Sequence, residues 1–212
     1  MLPTLREVLE HTNKNVFIYI EMKVPFCPEL RGKYRWKEAA KEVFKLLMAF
    51  EMKEHCFVQS FDHLILEEFE KICTSELYKI RTLYLHNFYD YISLPPLEVI
   101  LKQGEGISVS SNHVTSELVQ ACRQHGKILS VWIDCDVTVE STYLHNQMLE
   151  LGVHCLITDM PRVATEVRQK FFENKIKTQQ VDFFSVSLTQ STRMSTEETL
   201  ESDSAQTGNQ ST

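Results

Sequence analysis

Residues 17–23 read FIYIEMK, an apolar run that ends with an acid and a base. Because side chains alternate along a β-strand, Tyr19, Glu21 and Lys23 share one face and the aliphatic residues between them share the other. Charged groups are costly to bury without partners. The stretch therefore predicts a buried strand whose exit presents a carboxylate and an ammonium, either as a solvated ion pair or as part of a functional site.

Strand-like and helix-like segments alternate through most of the chain. A capping-box spacing, Thr4 to Glu7, predicts a short helix before the first strand, and Asp62 and Thr115 are placed to cap later helices. Six alternations of this kind are typical of a parallel sheet covered by helices. Strands are predicted at residues 17–23, 56–60, 79–85, 106–110, 128–134 and 154–158, and helices at 36–50, 64–73, 115–125, 140–151 and 161–175.

Two architectures fit this alternation: an open doubly wound sheet and part of a closed (β/α)8 barrel. No GxGxxG or GxxxxGK[ST] motif follows the first strand, so a nucleotide-binding open sheet would lack its phosphate loop. In the fifth strand Ser130, Trp132 and Asp134 alternate with aliphatic residues, which gives one mixed face and one face for helices. The pattern favours an α/β fold, a partial TIM-type (β/α)8 barrel with about six βα units and a site at the carboxyl ends of its strands.

Composition limits the class of protein. Of 212 residues, 43% are hydrophobic and 24% charged, which suits one globular domain with a core. The net charge of −7 argues against a nucleic-acid partner. The six cysteines form no CxxC pair, which predicts reduced thiols and disfavours zinc. No signal peptide opens the chain and no apolar run reaches the ~20 residues of a membrane helix, so we expect a cytoplasmic location by default, with membrane association left open.

The carboxyl-terminal part of the chain has a different composition. We predict a partial barrel over residues 1–175 and a disordered tail over residues 176–212, where Ser, Thr, Gln and Glu dominate. An apolar patch at residues 181–188 interrupts this tail.

Four segments between residues 2 and 167 resemble, in order, motifs of the glycerophosphodiester phosphodiesterase family. PTLREVLE followed by FIYIEMK is similar to the family's helix and IEIK strand, and VQSFD is similar to its SF[DS] strand end. ILSVWID resembles its VWTVN strand, and ELGVHCLITDMP resembles its ELGVDGIITDRP segment. Each motif is weak alone, and the ordered set is specific.

The resemblance implies a barrel that hydrolyses a glycerophosphodiester, a small-molecule substrate, to glycerol 3-phosphate and an alcohol with Ca²⁺ or Mg²⁺. In the family pattern Glu21 falls on a metal ligand, Lys23 on the residue that reaches the phosphate, and Trp132 on a residue that lines the substrate pocket. Ser60, at the end of the second strand, is a candidate hydrogen-bond partner of the phosphate or a structural hydroxyl. A hard cation prefers carboxylate oxygen, and a cation with an ammonium offsets charge on a phosphodiester.

The chain also departs from the family pattern. Cys135 replaces the asparagine of VWTVN, and the HRG strand, the ExD acid pair and the HD histidine are absent from this sequence. The resemblance implies that these motifs supply the general acid and base and two of three metal carboxylates, so no catalytic residue is assigned here. We expect a truncated, weakly active or inactive chain that binds the cation weakly. The alternative is a non-catalytic barrel remnant that acts as a scaffold or interaction module.

The histidines that the sequence does contain are candidates to substitute for the absent pair. His63 is interpreted as part of the first helical turn after Asp62, and His145 is expected on a helix surface. His86 and His113 follow strands on the carboxyl-end side, where an exposed loop position is the simpler interpretation. Asp134 and Asp159 also end strands on that side, and Asp159 is interpreted as a helix cap rather than a ligand.

Overall fold

The computed structural model describes residues 2–12, 14–25, 27–73, 78–86, 96–133 and 140–177. The predicted tail from residue 178 onward, the apolar patch at 181–188, Asp134 and Cys135 lie outside these residues. The chain divides into two units, Met1–Met160 and Pro161–Thr212. The described part of the second unit is one helix at residues 161–177, two residues longer than predicted.

The first unit alternates strands with helices. The strands are β1 (Ile18–Glu21), β2 (Cys56–Ser60), β3 (Arg81–Leu85), β4 (Gly106–Ser110), β5 (Ile128–Trp132) and β6 (Cys155–Ile157). The helices are α1 (Leu5–Thr12), α2 (Pro28–Arg31), α3 (Trp36–Ala49), α4 (His63–Ile72), α5 (Leu97–Ile100), α6 (Ser116–Gln124) and α7 (Thr142–Leu151), with a 3-10 turn at Ser111–His113.

The six strands form one parallel sheet whose order follows the chain, β1-β2-β3-β4-β5-β6. An open doubly wound sheet instead reverses its strand order at a switch point. The uninterrupted order is that of a TIM-type barrel, in which each strand pairs with the next through a helical crossover. The prediction of a partial barrel with six βα units is confirmed.

The strand faces divide as the alternation of side chains predicts. In most strands aliphatic residues pack against helices, while polar and aromatic residues occupy the opposite face. β3 is the exception: Tyr84 belongs to the helix-side cluster and donates its hydroxyl to Glu70 of α4, whereas Leu85 lies on the opposite face. One cluster joins Ile20, Met22 and Val58 to Leu47 and Phe69, and another joins Ile107, Val109, Leu129 and Val131 to Leu118 and Met148.

Capping residues fix where several helices begin. Thr4 and Glu7 form the predicted capping box, in which Thr4 N donates to Glu7 Oε2 at 2.7 Å and Glu7 N donates to Thr4 Oγ1 at 3.3 Å. Asp62 accepts from Leu64 N at the start of α4, as expected. Within the described parts of the chain, no helix is both long and apolar enough to cross a membrane.

Replacing Thr115 with alanine is expected to lower the free energy of unfolding by about 1 kcal/mol. Thr115 Oγ1 accepts the Leu118 N–H at 3.2 Å and so satisfies a donor that the first turn of α6 leaves unpaired. Urea denaturation measures the change. Ser116→Ala, at the next and exposed position, is the control and should change stability by less than about 0.5 kcal/mol. Equal effects would contradict the capping role.

The start of α7 differs from its predicted start at residue 140. Ser141 Oγ accepts the Leu144 N–H at 3.3 Å, so the helix begins after Ser141 and leaves Glu140 outside it. Glu140 instead bonds to His145, with 2.7 Å between Oε1 and Nε2. His145 is 1% exposed, so its predicted position on a helix surface is wrong: a buried carboxylate partner makes the inward position tolerable.

The described cysteines are all free thiols, as expected of reduced residues. Cys56, Cys73 and Cys122 are buried, and burial raises the pKa of each thiol. These three thiols are therefore core residues with little thiolate character.

Candidate functional site

A cavity of about 560 Å³ opens at the carboxyl ends of the strands, where the sequence predicts the site. Residues from β1, β2, β3, β5 and β6 reach it, together with the loop after β1 and the start of α4. Ligand sites of parallel α/β proteins lie at this end because the loops that follow the strands converge there. The lining consists of Glu21, Met22, Lys23, Val24, Arg31, Gln59, Ser60, Phe61, Asp62, His63, Leu64, Leu85, Trp132 and Ile157.

Glu21 and Lys23 both line this cavity rather than the outer surface. Lys23 Nζ lies 3.6 Å from Glu21 Oε1, and the exposed fractions of the two side chains are 78% and 27%. The strand pairing that holds them continues one residue beyond β1, because Met22 N donates to Gln59 O at 2.8 Å. The charged exit predicted from residues 17–23 is thus fixed at the mouth of the cavity.

Ser60 lines the cavity, but its hydroxyl is engaged by the backbone. Ser60 Oγ donates to Met22 O at 2.5 Å and accepts from Asp62 N at 3.0 Å, and the residue is 1% exposed. The hydroxyl proton that a phosphate oxygen would need is already committed. Ser60 therefore links the end of β1 to the start of α4 in this structure, and its role toward a substrate stays a prediction.

An ion pair between Arg31 and Asp62 stands beside the Glu21–Lys23 pair on the cavity wall. Asp62 was expected as a helix cap, and its Oδ1 does accept the Leu64 N–H at 3.1 Å. Arg31 was missed by the sequence analysis. The available signal was its position in the loop after β1, since loops at this end of the sheet line ligand sites.

Trp132 and Phe61 form an aromatic wall of the cavity, with ring centroids 6.0 Å apart and planes at 86°. Such an edge-to-face arrangement fixes both rings. Trp132 Nε1 and Gln59 Oε1 are buried and without a hydrogen-bond partner among the described residues. Buried polar atoms normally have a hydrogen-bond partner. These two atoms therefore mark positions where a polar group of a bound ligand could form a hydrogen bond.

His63 is the first residue of α4, as predicted, and it also lines the cavity. Its Nε2 lies 3.0 Å from Leu85 O. Because a carbonyl oxygen only accepts, Nε2 carries a proton in this bond. His63 also stacks edge-to-face on Tyr84 and His86, at 4.9 and 5.0 Å between ring centroids.

His86 is 5% exposed and therefore not the exposed loop residue that was expected. Burial lowers the pKa of His86 to about 4, and repulsion from His63 adds to this effect. His86 is consequently neutral at physiological pH. His113 ends the 3-10 turn after β4 and is not among the cavity residues.

The described residues offer few clustered carboxylates to a divalent cation. Among them, no group of three or more His, Cys, Asp or Glu side chains could hold a metal ion. Glu21 and Asp62 both line the cavity, but the Asp62 carboxylate is already bound by Arg31 and by the Leu64 N–H. Ca²⁺ usually takes six to eight oxygen ligands, several of them from protein. Glu21 alone is a poor site for such an ion.

Fold and cavity together define the class: a partial (β/α)8 barrel with a charged cavity at the carboxyl ends of its strands. Comparison with known families then identifies the family within this class to which the chain belongs. The model of the Glycerophosphoryl diester phosphodiesterase family matches residues 1–163, and the chain belongs to that family.

Individual relatives agree with this assignment. A glycerophosphodiester phosphodiesterase of Bacillus altitudinis is 28% identical over 173 residues, which cover 80% of this chain and 63% of that protein. The structure of a putative glycerophosphodiester phosphodiesterase from Galdieria sulphuraria has a TM-score of 0.65 at 20% identity, covering 77% of this chain and 63% of that one. An Oleispira antarctica phosphodiesterase, solved with its product sn-glycerol-3-phosphate, has a TM-score of 0.59 at 16% identity, with 79% and 61% covered. This chain spans 63% of the length of the curated relative.

Proposed function

We propose that this chain binds a glycerophosphodiester in the cavity at Glu21 and Lys23 and takes part in its hydrolysis to glycerol 3-phosphate and an alcohol. The observation that carries the proposal is the convergence of Glu21, Lys23 and Trp132 on one cavity. These are the residues to which the family resemblance gives the metal, phosphate and substrate roles. The product bound to the Oleispira antarctica phosphodiesterase supports the same class of substrate.

The chemistry available to this chain is charge stabilisation and orientation. Lys23 Nζ is largely exposed at the cavity mouth, where an ammonium lowers the energy of negative charge developing on a phosphoryl oxygen. Glu21, 3.6 Å away, holds that ammonium toward the cavity. The aromatic wall of Trp132 and Phe61 limits where the alcohol side of the substrate can lie. The chain therefore offers groups that bind and orient the substrate, and fewer groups that could transfer a proton to or from it.

The role of a divalent cation belongs to this proposal as well. We expect Ca²⁺ or Mg²⁺ to bind weakly, through Glu21 and few other oxygens, because the described residues supply no fuller ligand set. General acid–base catalysis typically contributes ~10²–10⁴-fold in rate, and the histidine pair of the family pattern is absent from the sequence. Turnover by this chain alone is therefore expected to be weak.

Release of glycerol 3-phosphate from a glycerophosphodiester, measured with Ca²⁺ or Mg²⁺ present, tests the proposal. We expect a rate at least ~100-fold below that of the Bacillus altitudinis relative, with the remaining turnover lost in Glu21→Gln. Glu42→Gln, an exposed helical position paired with Lys45, is the matched control and should leave turnover unchanged. Residual turnover that survives Glu21→Gln would contradict the site, and robust turnover would contradict the expected weakness.

A non-catalytic scaffold or interaction module is the second candidate function. The observation that favours it is the lack of a multi-residue metal-ligand group among the described residues. Turnover below detection, combined with a monodisperse peak in size-exclusion chromatography and a cooperative thermal transition, would support this candidate over the enzyme. Aggregation would count against it, because unpaired strand edges are templates for association.

A further inference from the structure

The loop after β1 places a second cation on the cavity. Arg31 ends the short helix α2, lines the cavity and pairs with Asp62 across 31 positions of sequence. Its side chain is 50% exposed, whereas that of Asp62 is only 11% exposed. Arg31 therefore extends from a surface loop to a nearly buried anchor and presents its other side to the cavity.

The anchor of Arg31 is itself fixed. Asp62 Oδ1 accepts the Leu64 N–H at 3.1 Å, and Asp62 N donates to Ser60 Oγ at 3.0 Å. Ser60 Oγ in turn donates to Met22 O, between the two charged residues at the exit of β1. A continuous set of hydrogen bonds thus connects the guanidinium of Arg31 to the segment that carries Lys23. An isolated surface ion pair would have no such support.

A guanidinium has five N–H donors, and only one terminal nitrogen of Arg31 bonds to Asp62. Within the described part of the chain, its other guanidinium N–H groups make no hydrogen bond. Arginine matches the oxygens of a phosphate in a two-pronged geometry that a lysine ammonium does not offer. Arg31 lines the same cavity as Lys23.

We infer that Arg31 is a second phosphate-binding residue of this cavity, which binds phosphate oxygens with its free donors while Asp62 holds the guanidinium in place. The inference rests on the proposed function for the class of ligand, a phosphoryl group on a small alcohol. It adds a role for the loop after β1 that none of the family motifs quoted above contains. Lys23 then supplies a point charge from one strand exit, and Arg31 supplies oriented hydrogen bonds from the neighbouring loop.

Binding of sn-glycerol 3-phosphate tests this role, measured by isothermal titration calorimetry on the full chain with EDTA present. Arg31→Gln is expected to weaken binding about tenfold, which is the effect of losing hydrogen bonds to a charged group. The affinity of Arg31→Lys should fall between those of Arg31→Gln and the wild type, because lysine keeps the positive charge but lacks the two-pronged donor geometry of a guanidinium. Inorganic phosphate should show the same order of affinities, and glycerol should show no dependence on Arg31.

Arg35→Gln is the matched control. Arg35 lies four positions further along the same loop, is 79% exposed and pairs with Glu38, away from the cavity. Arg35→Gln removes the same charge as Arg31→Gln and should change the affinity for sn-glycerol 3-phosphate by less than about twofold. Equal weakening by both variants would reveal a general charge effect and overturn the inference, as would an unchanged affinity in Arg31→Gln or no binding to the wild type. Thermal melting of each variant verifies that its fold is retained.

This experiment and the turnover assay can fail independently. If sn-glycerol 3-phosphate binds in an Arg31-dependent way while no turnover is detected, the inference stands and the hydrolytic function fails. If turnover depends on Glu21 while Arg31→Gln binds like the wild type, the proposed function stands and the inference fails.

Discussion

Replacing Glu140 with glutamine is expected to lower the free energy of unfolding by about 3 kcal/mol, since the buried carboxylate accepts several hydrogen bonds and the amide nitrogen of glutamine, which cannot accept, would leave a buried donor unsatisfied. The side chains of Glu140 and His145 are 6% and 1% exposed, with 2.7 Å between Oε1 and Nε2. Glu140 also accepts the hydroxyl of Thr158 and the Asp159 N–H. One carboxylate thus joins α7 to the segment after β6.

Equilibrium denaturation in urea measures this effect, and Glu42→Gln is its control. Glu42 and Lys45 form an ion pair in which both side chains are about two-thirds exposed, and such pairs contribute ~0–1 kcal/mol. A loss below about 1 kcal/mol in Glu140→Gln would show that glutamine satisfies the same donors and that the charge is unimportant.

The pKa of Glu140 gives the same interaction a pH dependence. Burial raises the pKa of this carboxyl, but the hydrogen bonds from Thr158, His145 and the Asp159 N–H outweigh burial and lower it below its usual value. An acid with a lowered pKa contributes stability above the pKa of the unfolded chain, and that contribution is lost as the pH falls through the folded value. The contribution of Glu140 is therefore retained at neutral pH and disappears in strong acid.

The order of the strands and the place of the cavity could be predicted from the sequence because both depend on local patterns. Alternating side chains assign Glu21 and Trp132 to the inner face of their strands, and parallel strands bring their carboxyl ends together. The cap at Thr115 is likewise a local signal. Predicting these features requires no knowledge of contacts between residues that are far apart in the sequence.

The site residues and contacts that were missed depend on pairings that the local pattern does not contain. Arg31 pairs with a residue 31 positions away, and His63 bonds to the Leu85 carbonyl 22 positions away. His145 had a local clue: it lies three residues before the buried Met148, on the same side of α7. The polarity of His145 hid that clue, because only its pairing with Glu140 allows it to be buried.

Lowering the pH from 6.5 to 4 is expected to remove about 3 kcal/mol of folding stability through His86 alone. Burial, reinforced by His63, lowers the pKa of His86 to about 4 in the folded protein, whereas an unfolded histidine titrates near 6.5. A base with a lowered pKa stays neutral in the fold while the unfolded chain binds a proton. Its stabilising contribution is thus complete above pH 6.5 and is lost progressively toward pH 4, at about 1.4 kcal/mol per pKa unit.

Urea denaturation of the wild type and of His86→Gln across this pH range tests the prediction. Glutamine cannot titrate, so the variant should start less stable at pH 7 and lose stability more slowly as the pH falls. His11→Gln, at an exposed position of α1, should retain the slope of the wild type. If His86→Gln also retained that slope, another group would be responsible. Because His86 packs on His63 and His63 lines the cavity, protonation of His86 is also expected to perturb the candidate site.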